Sequence, residues 1–356
     1  MIRPKLKFLV LVTGLILSYT QCLAHFDYEE RKQVNKTYTI TSSTSVSFTN
    51  SFGKLQVNTW DKNQLQVNIE IITRASNESK AKDMLDRIRI DIDDSNPSSS
   101  ITYKTEISNM KNSGSSSMEI NYTVYMPKNN PLYLKNSFGD CFLAQYNGKL
   151  DLNESYGNLN TEDLNGDCDI DLSFGGGTSK ISAMKKGEVK VSYSSLEMGT
   201  IGTADLNCQF SNFSVDKLSD ATMVSKYGKI DLGEVGSLDA DVHFSSFGID
   251  RLNKMLKLDI EYGGQTSIDN IAKEIQSLTI TSSFGPVSLE LPSGLNASLD
   301  VKVEFGNFHY DKRSIDFNKI YEGNTSKEYH GRIGSGSSAV NISVTAKYGD
   351  VKIDED

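Results

Sequence analysis

Two clusters of aspartates are the residues of this 356-residue chain best suited to binding a metal ion. The clusters are Asp91-Asp93-Asp94 and Asp167-Asp169-Asp171. Carboxylate oxygens are the ligands that Ca²⁺ prefers. Neither cluster has the spacing of an EF-hand loop, and the second alternates with Cys168, Ile170 and Leu172. That alternation favours the solvent-facing side of a β-strand over a calcium site, so we expect no metal ion and no cofactor.

The histidines and the known catalytic motifs give no sign of an active site. The four histidines are His25, His243, His309 and His330, and none has a metal-type partner nearby in the sequence. The chain contains no GxSxG, HExxH, P-loop or Rossmann glycine pattern. The sequence therefore predicts no catalytic and no cofactor-binding residues.

An aromatic residue followed by glycine or serine recurs along the chain, mostly at steps of 17 to 22 residues. The twelve aromatic anchors are Phe52, Phe138, Tyr156, Phe174, Tyr193, Phe210, Tyr227, Phe244, Tyr262, Phe284, Phe305 and Tyr348. An apolar residue lies four positions before each anchor, and polar and apolar residues alternate on both sides of it. A fixed period near twenty is typical of stacked structural units.

This repeat predicts the fold class. Each unit reads as a strand, a tight corner, a second strand and a turn, and neither strand can bury its apolar side alone. Stacking the units at roughly 4.8 Å buries all of these sides in one column. We therefore predict an all-β, parallel β-solenoid (β-helix-like) with coils of about 17–22 residues. An antiparallel β-sandwich is the alternative. The outer surface is expected to be rich in Ser, Thr, Asn, Asp and Lys, with few exposed aromatic residues.

The three cysteines beyond residue 24 follow the same pattern. Cys141, Cys168 and Cys208 occupy inward positions of the repeat, and no two occupy the same position. We expect buried free thiols that act as small hydrophobic residues, with a disulfide as the alternative.

Residues 1–24 have the features of a secretory signal. Basic residues precede the apolar run Phe8–Leu17, and Cys22-Leu23-Ala24 provides a cleavage site near Ala24. We expect export to the periplasm, the cell surface or the medium, with no transmembrane segment in the mature chain. Cleavage would change the net charge from −9 to −12, because three basic residues and no acidic ones are lost. Such a charge argues against nucleic acid as a partner.

The rest of the chain divides into segments according to how regularly the aromatic repeat recurs. We predict a loose leader at 25–36, a strand-rich part at 37–131, the regular solenoid at 132–310, a Gly/Ser-rich loop at 311–338 and a terminal coil at 339–356. The strand-rich part contains one short helix. Asn77 is its expected N-cap, and Ala81, Met84 and Leu85 follow at helical spacing.

Three passages resemble a known family. They are Thr59–Val67 with its early Trp60-Asp61, Met118–Leu134 with its Met126-Pro127, and the Gly-rich 331–336 followed by 340–353. In these passages the chain is similar to the bacterial putative-adhesin family of β-strand-repeat proteins, a Bacteroidetes-type family related to the putative autotransporter adhesin head domain. The resemblance implies a bacterial surface protein and carries over no catalytic residues.

The sequence therefore predicts an exported, non-enzymatic adhesion or scaffold module of the cell envelope or surface. Its partner could be an envelope component, a glycan or a protein. The alternative is a polysaccharide-active β-helix enzyme, a lyase or hydrolase. Arg251 is the only arginine between Leu132 and Tyr310, and a lyase that stabilises a carboxylate-bearing intermediate would need more cationic groups.

Overall fold

The computed structural model describes residues 28–108, 116–311, 315–336 and 340–355, which form one helix and a continuous sheet of 23 strands. The strands are β1 (Tyr28–Thr39), β2 (Ser45–Thr49), β3 (Leu55–Trp60), β4 (Gln64–Ala75), β5 (Ile88–Asn96), β6 (Ser100–Ile107), β7 (Ser116–Pro127), β8 (Leu132–Ser137), β9 (Cys141–Leu143), β10 (Leu150–Ser155), β11 (Leu159–Ser173), β12 (Thr178–Ser192), β13 (Ser195–Gln209), β14 (Asn212–Glu261), β15 (Thr266–Ile268), β16 (Ser277–Ser283), β17 (Val287–Leu291), β18 (Ala297–Glu304), β19 (Phe308–Tyr310), β20 (Ile315–Glu322), β21 (Ser326–Ile333), β22 (Asn341–Lys347) and β23 (Val351–Glu355). Helix α1 spans Glu78–Asp86. The expected signal at 1–24 lies outside the described residues.

Successive coils stack in parallel, with equivalent residues side by side. Leu152 of β10 lies beside Ile170 of β11, which in turn lies beside Val189 of β12. All three side chains are at most 1% exposed. Because each coil repeats the inward positions of its neighbour, the apolar rows merge into one core that runs along the column. The predicted parallel β-solenoid is confirmed, and the antiparallel sandwich is excluded.

The N-terminal end of the column departs from chain order. Strand β2 lies between β6 and β8 and is parallel to both, and β3 lies likewise between β7 and β9. Beyond them the pairing becomes antiparallel, with β5 on β6, β4 on β7 and β1 on β4. Strand β1 begins at Tyr28, so the loose leader predicted for 25–36 is wrong for the residues that the structure describes.

Helix α1 packs against this antiparallel end. Asn77 is its N-cap, and the Asn77 side chain accepts a hydrogen bond from the Lys80 backbone N–H at 2.9 Å. Ala81, Met84 and Leu85 are buried. The predicted cap and apolar side of the helix are confirmed.

The C-terminal end also departs from chain order. Strand β22 lies between β16 and β18, so the last coil of the chain is inserted between two earlier coils. Strands β22 and β23 form this coil, but the end of the column in space is the coil of β18 and β19 together with the hairpin β20–β21.

The segment predicted as a Gly/Ser-rich loop at 311–338 contains that hairpin, so the loop prediction is wrong. Strand β21 pairs antiparallel with both β18 and β20. Phe317 and Tyr329 of the hairpin lie against Phe308 and Tyr310 at the end of the core. The period does not continue here because this segment caps the column instead of extending it.

Replacing residues 311–338 with a short linker is expected to destabilise the protein. The change exposes the edge of β18 and removes the aromatic cover from Phe308. We expect the midpoint of thermal unfolding to fall by several degrees or more and the protein to aggregate at a lower concentration. A variant altered only in the turn Gly323–Thr325 is the control. An unchanged melting temperature in the linker variant would show that the hairpin is not a cap.

Substitutions on opposite sides of β11 test the register. Ile170→Asp places a charge at a position that is fully buried, and we expect a loss of several kcal/mol or failure to fold. Asp169→Asn changes the exposed neighbour and should cost less than about 0.5 kcal/mol. Chemical denaturation of both variants is the measurement, and equal losses would contradict this register.

Candidate functional site: an exposed aromatic ladder

The twelve aromatic anchors lie on one corner of the solenoid and stack face to face in a single ladder. Neighbouring ring centroids are 4.7–5.1 Å apart, and the ring planes are within 2–13° of parallel. Every anchor is exposed, at 37–53% of its surface. The expectation of few exposed aromatic residues is therefore wrong. We call this feature the aromatic ladder.

The order of rings in space differs from their order in the chain. Because the last coil is inserted, Tyr348 stacks between Phe284 and Phe305. In space the rings therefore alternate between phenylalanine and tyrosine without exception from Phe138 to Phe305. Only the first pair, Phe52 and Phe138, repeats a residue type.

The backbone at each anchor explains why the rings point outward. All twelve anchors have a positive φ, between 50° and 62°. This left-handed conformation costs an L-residue about 1–2 kcal/mol. It turns the side chain out of the inside–outside alternation of the two flanking strands and onto the corner. Stacking of aromatic pairs contributes about 0.5–1.5 kcal/mol per pair and offsets the cost.

The small residue after each anchor allows the close stacking. A Cβ atom added to Gly139 would lie 2.2 Å from the carbonyl oxygen of Gly53 in the next coil, and one added to Gly228 would lie 1.9 Å from that of Ser211. Where serine replaces glycine, its hydroxyl bonds the neighbouring corner. The Ser194 hydroxyl accepts a hydrogen bond from the Gly175 N–H at 2.8 Å. The corner thus needs a residue that leaves the adjacent backbone accessible.

The residues immediately before the rings form a polar row beside the ladder. From Ser51 to Gln209 this row is uncharged, and the hydroxyls of Ser137 and Ser155 are 3.0 Å apart. Charged or titratable groups follow further along, beginning with Lys226 and His243. The ladder is therefore bordered by hydroxyl and amide groups over its N-terminal half.

Beneath the ladder, a buried polar row runs through the first coils. The Asn50 amide donates to the side-chain oxygen of Asn136 at 3.1 Å, and the Asn136 amide donates to the carbonyl of Gly139 at 2.7 Å. Glu154 is next in this row, beside Asn136, is only 2% exposed, and neither carboxyl oxygen makes a hydrogen bond of good geometry. Burial raises the pKa of the Glu154 carboxyl to about 9. The folded protein therefore holds this carboxyl in its neutral form at pH 7.

The three cysteines are free and buried, as predicted. Burial raises the pKa of the Cys168 and Cys208 thiols to about 12, and that of Cys141 well above its usual value. These thiols are protonated and shielded from solvent, so they are poor nucleophiles and poor metal ligands.

Aspartates of the two clusters contact lysine and serine side chains. Lys186 lies 3.4 Å from Asp167, Lys36 lies 2.6 Å from Asp94, and Asp93 accepts hydrogen bonds from Ser95. Within the part of the chain that the structure describes, no group of three or more His, Cys, Asp or Glu side chains is arranged to hold a metal ion. Asp91, Asp93 and the three aspartates of β11 lie on outward faces of strands, whereas Asp94 lies on the partly buried side of β5 and accepts hydrogen bonds from Lys36 and Tyr38.

The histidines are separate from one another. His243 contacts Asp241 and Glu261. The Nδ1 atom of His330 forms a hydrogen bond of 2.6 Å with a carboxyl oxygen of Asp300. His309 lies 3.8 Å from Asp350, and His25 lies outside the described residues. The structure brings none of the described histidines together with a nucleophile.

A parallel β-solenoid with an aromatic ladder at its corner is the class of protein that this geometry defines. The Toastrack DUF4097 family matches residues 39–354, and the chain belongs to this family. No curated protein matches the chain. Helix α1, the one helix among the described residues, is not long and apolar enough to cross a bilayer.

Several solved structures are similar to the chain. A putative cell adhesion protein from Clostridium sporogenes is 8% identical, with 92% of this chain and 100% of that one covered and a TM-score of 0.22. A putative adhesin from Parabacteroides merdae is 11% identical, with coverage of 90% and 96% and a TM-score of 0.28. A putative adhesin from Bacteroides fragilis is 11% identical, with coverage of 90% and 97% and a TM-score of 0.21. Membership of the family rests on the match over residues 39–354.

Replacing Glu154 with glutamine is expected to stabilise the protein at neutral and alkaline pH. The folded-state pKa of about 9 lies above the usual 4.5, so folding takes up a proton, and stability falls as pH rises from about 4.5 to about 9. Glu154→Gln removes this loss, which is on the order of 3 kcal/mol at pH 7. Urea denaturation from pH 4 to pH 9 measures the effect. Asp151→Asn, at an outward position of the same strand, is the control. Parallel pH profiles for the native chain and Glu154→Gln would contradict the assignment.

Proposed function

We propose that this chain is an exported, non-enzymatic adhesion or scaffold module of the cell envelope or surface, and that the aromatic ladder is its contact surface. The observation that carries the proposal is the ladder itself. Soluble proteins rarely expose a continuous apolar patch larger than a few hundred Å². Twelve half-exposed rings in one line exceed that size, and such patches mark interaction sites.

The rest of the molecule supports a binding role. The thiols are buried and protonated, and the described histidines and aspartates are dispersed among ion pairs with surface lysines and other polar contacts. A continuous column, capped at both ends by antiparallel strands, presents the rings in one row, which suits contact with an extended partner. Export rests on the signal features of residues 1–24, and the mature net charge of −12 disfavours nucleic acid.

Breaking the ladder at its centre should weaken adhesion without unfolding the protein. Tyr193→Asn and Phe210→Asn remove two rings, and asparagine tolerates the left-handed backbone at these positions. We expect purified mature protein to bind envelope-derived surfaces or arrays of glycans and proteins. We expect the double variant to lose about tenfold or more of that binding.

Lys185→Gln, at an exposed position of β12 away from the ladder, is the matched control and should bind like the native chain. Circular dichroism verifies that all three proteins are folded. Equal binding by the ladder variant and the control would contradict the role of the ladder. Turnover of a polysaccharide, detected by new reducing ends or unsaturated-uronide absorbance, would contradict the non-enzymatic proposal and favour a β-helix enzyme.

A further inference from the structure

The exposed part of the aromatic ladder restricts what can bind it. Each internal ring is covered on both faces by its neighbours at 4.7–5.1 Å. A ligand that stacks on an aromatic face, as a planar ring or a sugar does, finds free faces only at the two ends. What remains along the ladder is a row of ring edges and tyrosine hydroxyls that repeats at every coil. A partner that contacts the whole row needs the same repeat.

The area of the row is sufficient for a protein interface. Exposure of 37–53% per ring, for side chains of 150–250 Å² each, gives on the order of 1,000 Å² of apolar surface. A stable interface of standard size buries about 800 Å² on each partner. The ladder alone is therefore large enough for a dimer, and a second copy of this chain has the same coil spacing by construction.

The alternation of ring types is self-complementary under a twofold axis. We number the rungs in space from rung 1 at Phe52 to rung 12 at Phe305. When two ladders run antiparallel with rung 1 opposite rung 12, an odd rung always faces an even one. Rungs 3, 5, 7, 9 and 11 are tyrosines, and all even rungs are phenylalanines. Every tyrosine then faces a phenylalanine of the other copy. A parallel arrangement would instead set tyrosine against tyrosine and leave gaps between phenylalanines.

We infer that the aromatic ladder recognises a second copy of this chain, in an antiparallel, in-register pair. The projecting hydroxyl of each tyrosine occupies the space that the shorter phenylalanine opposite leaves open, as side chains do in a dry zipper. This inference rests on the proposed role of the ladder as the contact surface and names its partner. Antiparallel copies on two facing surfaces would join those surfaces.

The charges beside the ladder agree with this arrangement. A twofold axis across the ladder sets the row before the rings against the same row of the other copy. Gln209 then faces Lys226, and Ser173 faces Glu261, so no two charged residues of this row meet. On the other side of the ladder one like-charged pair arises, Asp140 opposite Asp350. Each of these carboxylates already accepts a backbone N–H of its own chain.

The central rungs give a sharp test, because rung 6 (Phe210) faces rung 7 (Tyr227) twice in the pair. Phe210→Tyr sets two hydroxyls against each other, and Tyr227→Phe leaves a gap. We expect each single change to weaken dimerisation about tenfold. The double variant Phe210→Tyr with Tyr227→Phe restores a tyrosine opposite a phenylalanine, and its dimer should return to within about threefold of the native one. Sedimentation equilibrium of the mature chain measures all four constants.

The double variant distinguishes pairing between two copies from a role of the alternation in ring stacking within one chain. Within one chain the swap sets Tyr193 beside a new tyrosine and Phe244 beside a new phenylalanine. If the alternation served only stacking within the column, the double variant would be at least as impaired as the single ones. That result, or a native chain that stays monomeric at all concentrations, would overturn the inference. The binding assay for the proposed function would be unaffected by either result.

Orientation is tested by crosslinking. In the antiparallel pair Ser155 of one copy lies opposite Ser283 of the other, because they precede rungs 3 and 10. A chain carrying both Ser155→Cys and Ser283→Cys should form covalent dimers with a bismaleimide crosslinker, which is long enough to span the two layers of rings where a disulfide is not, while each single variant should not. The native cysteines are buried and do not interfere. Equal crosslinking by a single variant and the double variant would overturn the antiparallel register.

Discussion

The structure depends on one close contact, in which the backbone of each corner lies directly on the backbone of the next. The contact leaves no room for a Cβ atom at most of the glycines after the rings, as the 2.0 Å approach of an added Cβ on Gly157 to the Gly139 oxygen shows. It fixes the spacing and the register of the coils together. Once the corners are in register, the inward rows align, the strands pair and the rings stack. If one coil shifted by a single residue, every inward apolar side chain of that coil would move to the outside.

A column built this way has two open ends, and the chain closes both with antiparallel strands. At each end it also inserts a strand from elsewhere in the sequence, β2 at one end and β22 at the other. Both inserted coils are held on two sides, so neither described end can separate from the column one coil at a time. The arrangement requires contacts between residues far apart in the chain, which slows folding but makes local unzipping costly.

The period of the sequence predicts what lies inside the strands but not what lies at the corners. Alternation assigns Ile170 to the core and Asp169 to solvent, because a strand has only two sides. The ring of Phe174 follows the strand, and its direction depends on the backbone φ, which the pattern does not reveal. The period also does not determine which coils are neighbours in space. The inward residues of β22 resemble those of the strands beside it, so the period alone allows several stacking orders. The buried pair Asn50 and Asn136 restricts the order at the other end, because an unpaired amide in the core is costly.

The alternation of phenylalanine and tyrosine in the ladder depends on the order of the coils in space and not on their order in the chain. In the chain, Phe284 is followed by Phe305, and the pattern breaks. In the folded column, Tyr348 lies between them and the pattern is complete. A pattern inherited only from duplication of a repeat would follow chain order. A pattern that appears only after a strand has been inserted is a property of the assembled column, which is what the proposed pairing of two ladders requires.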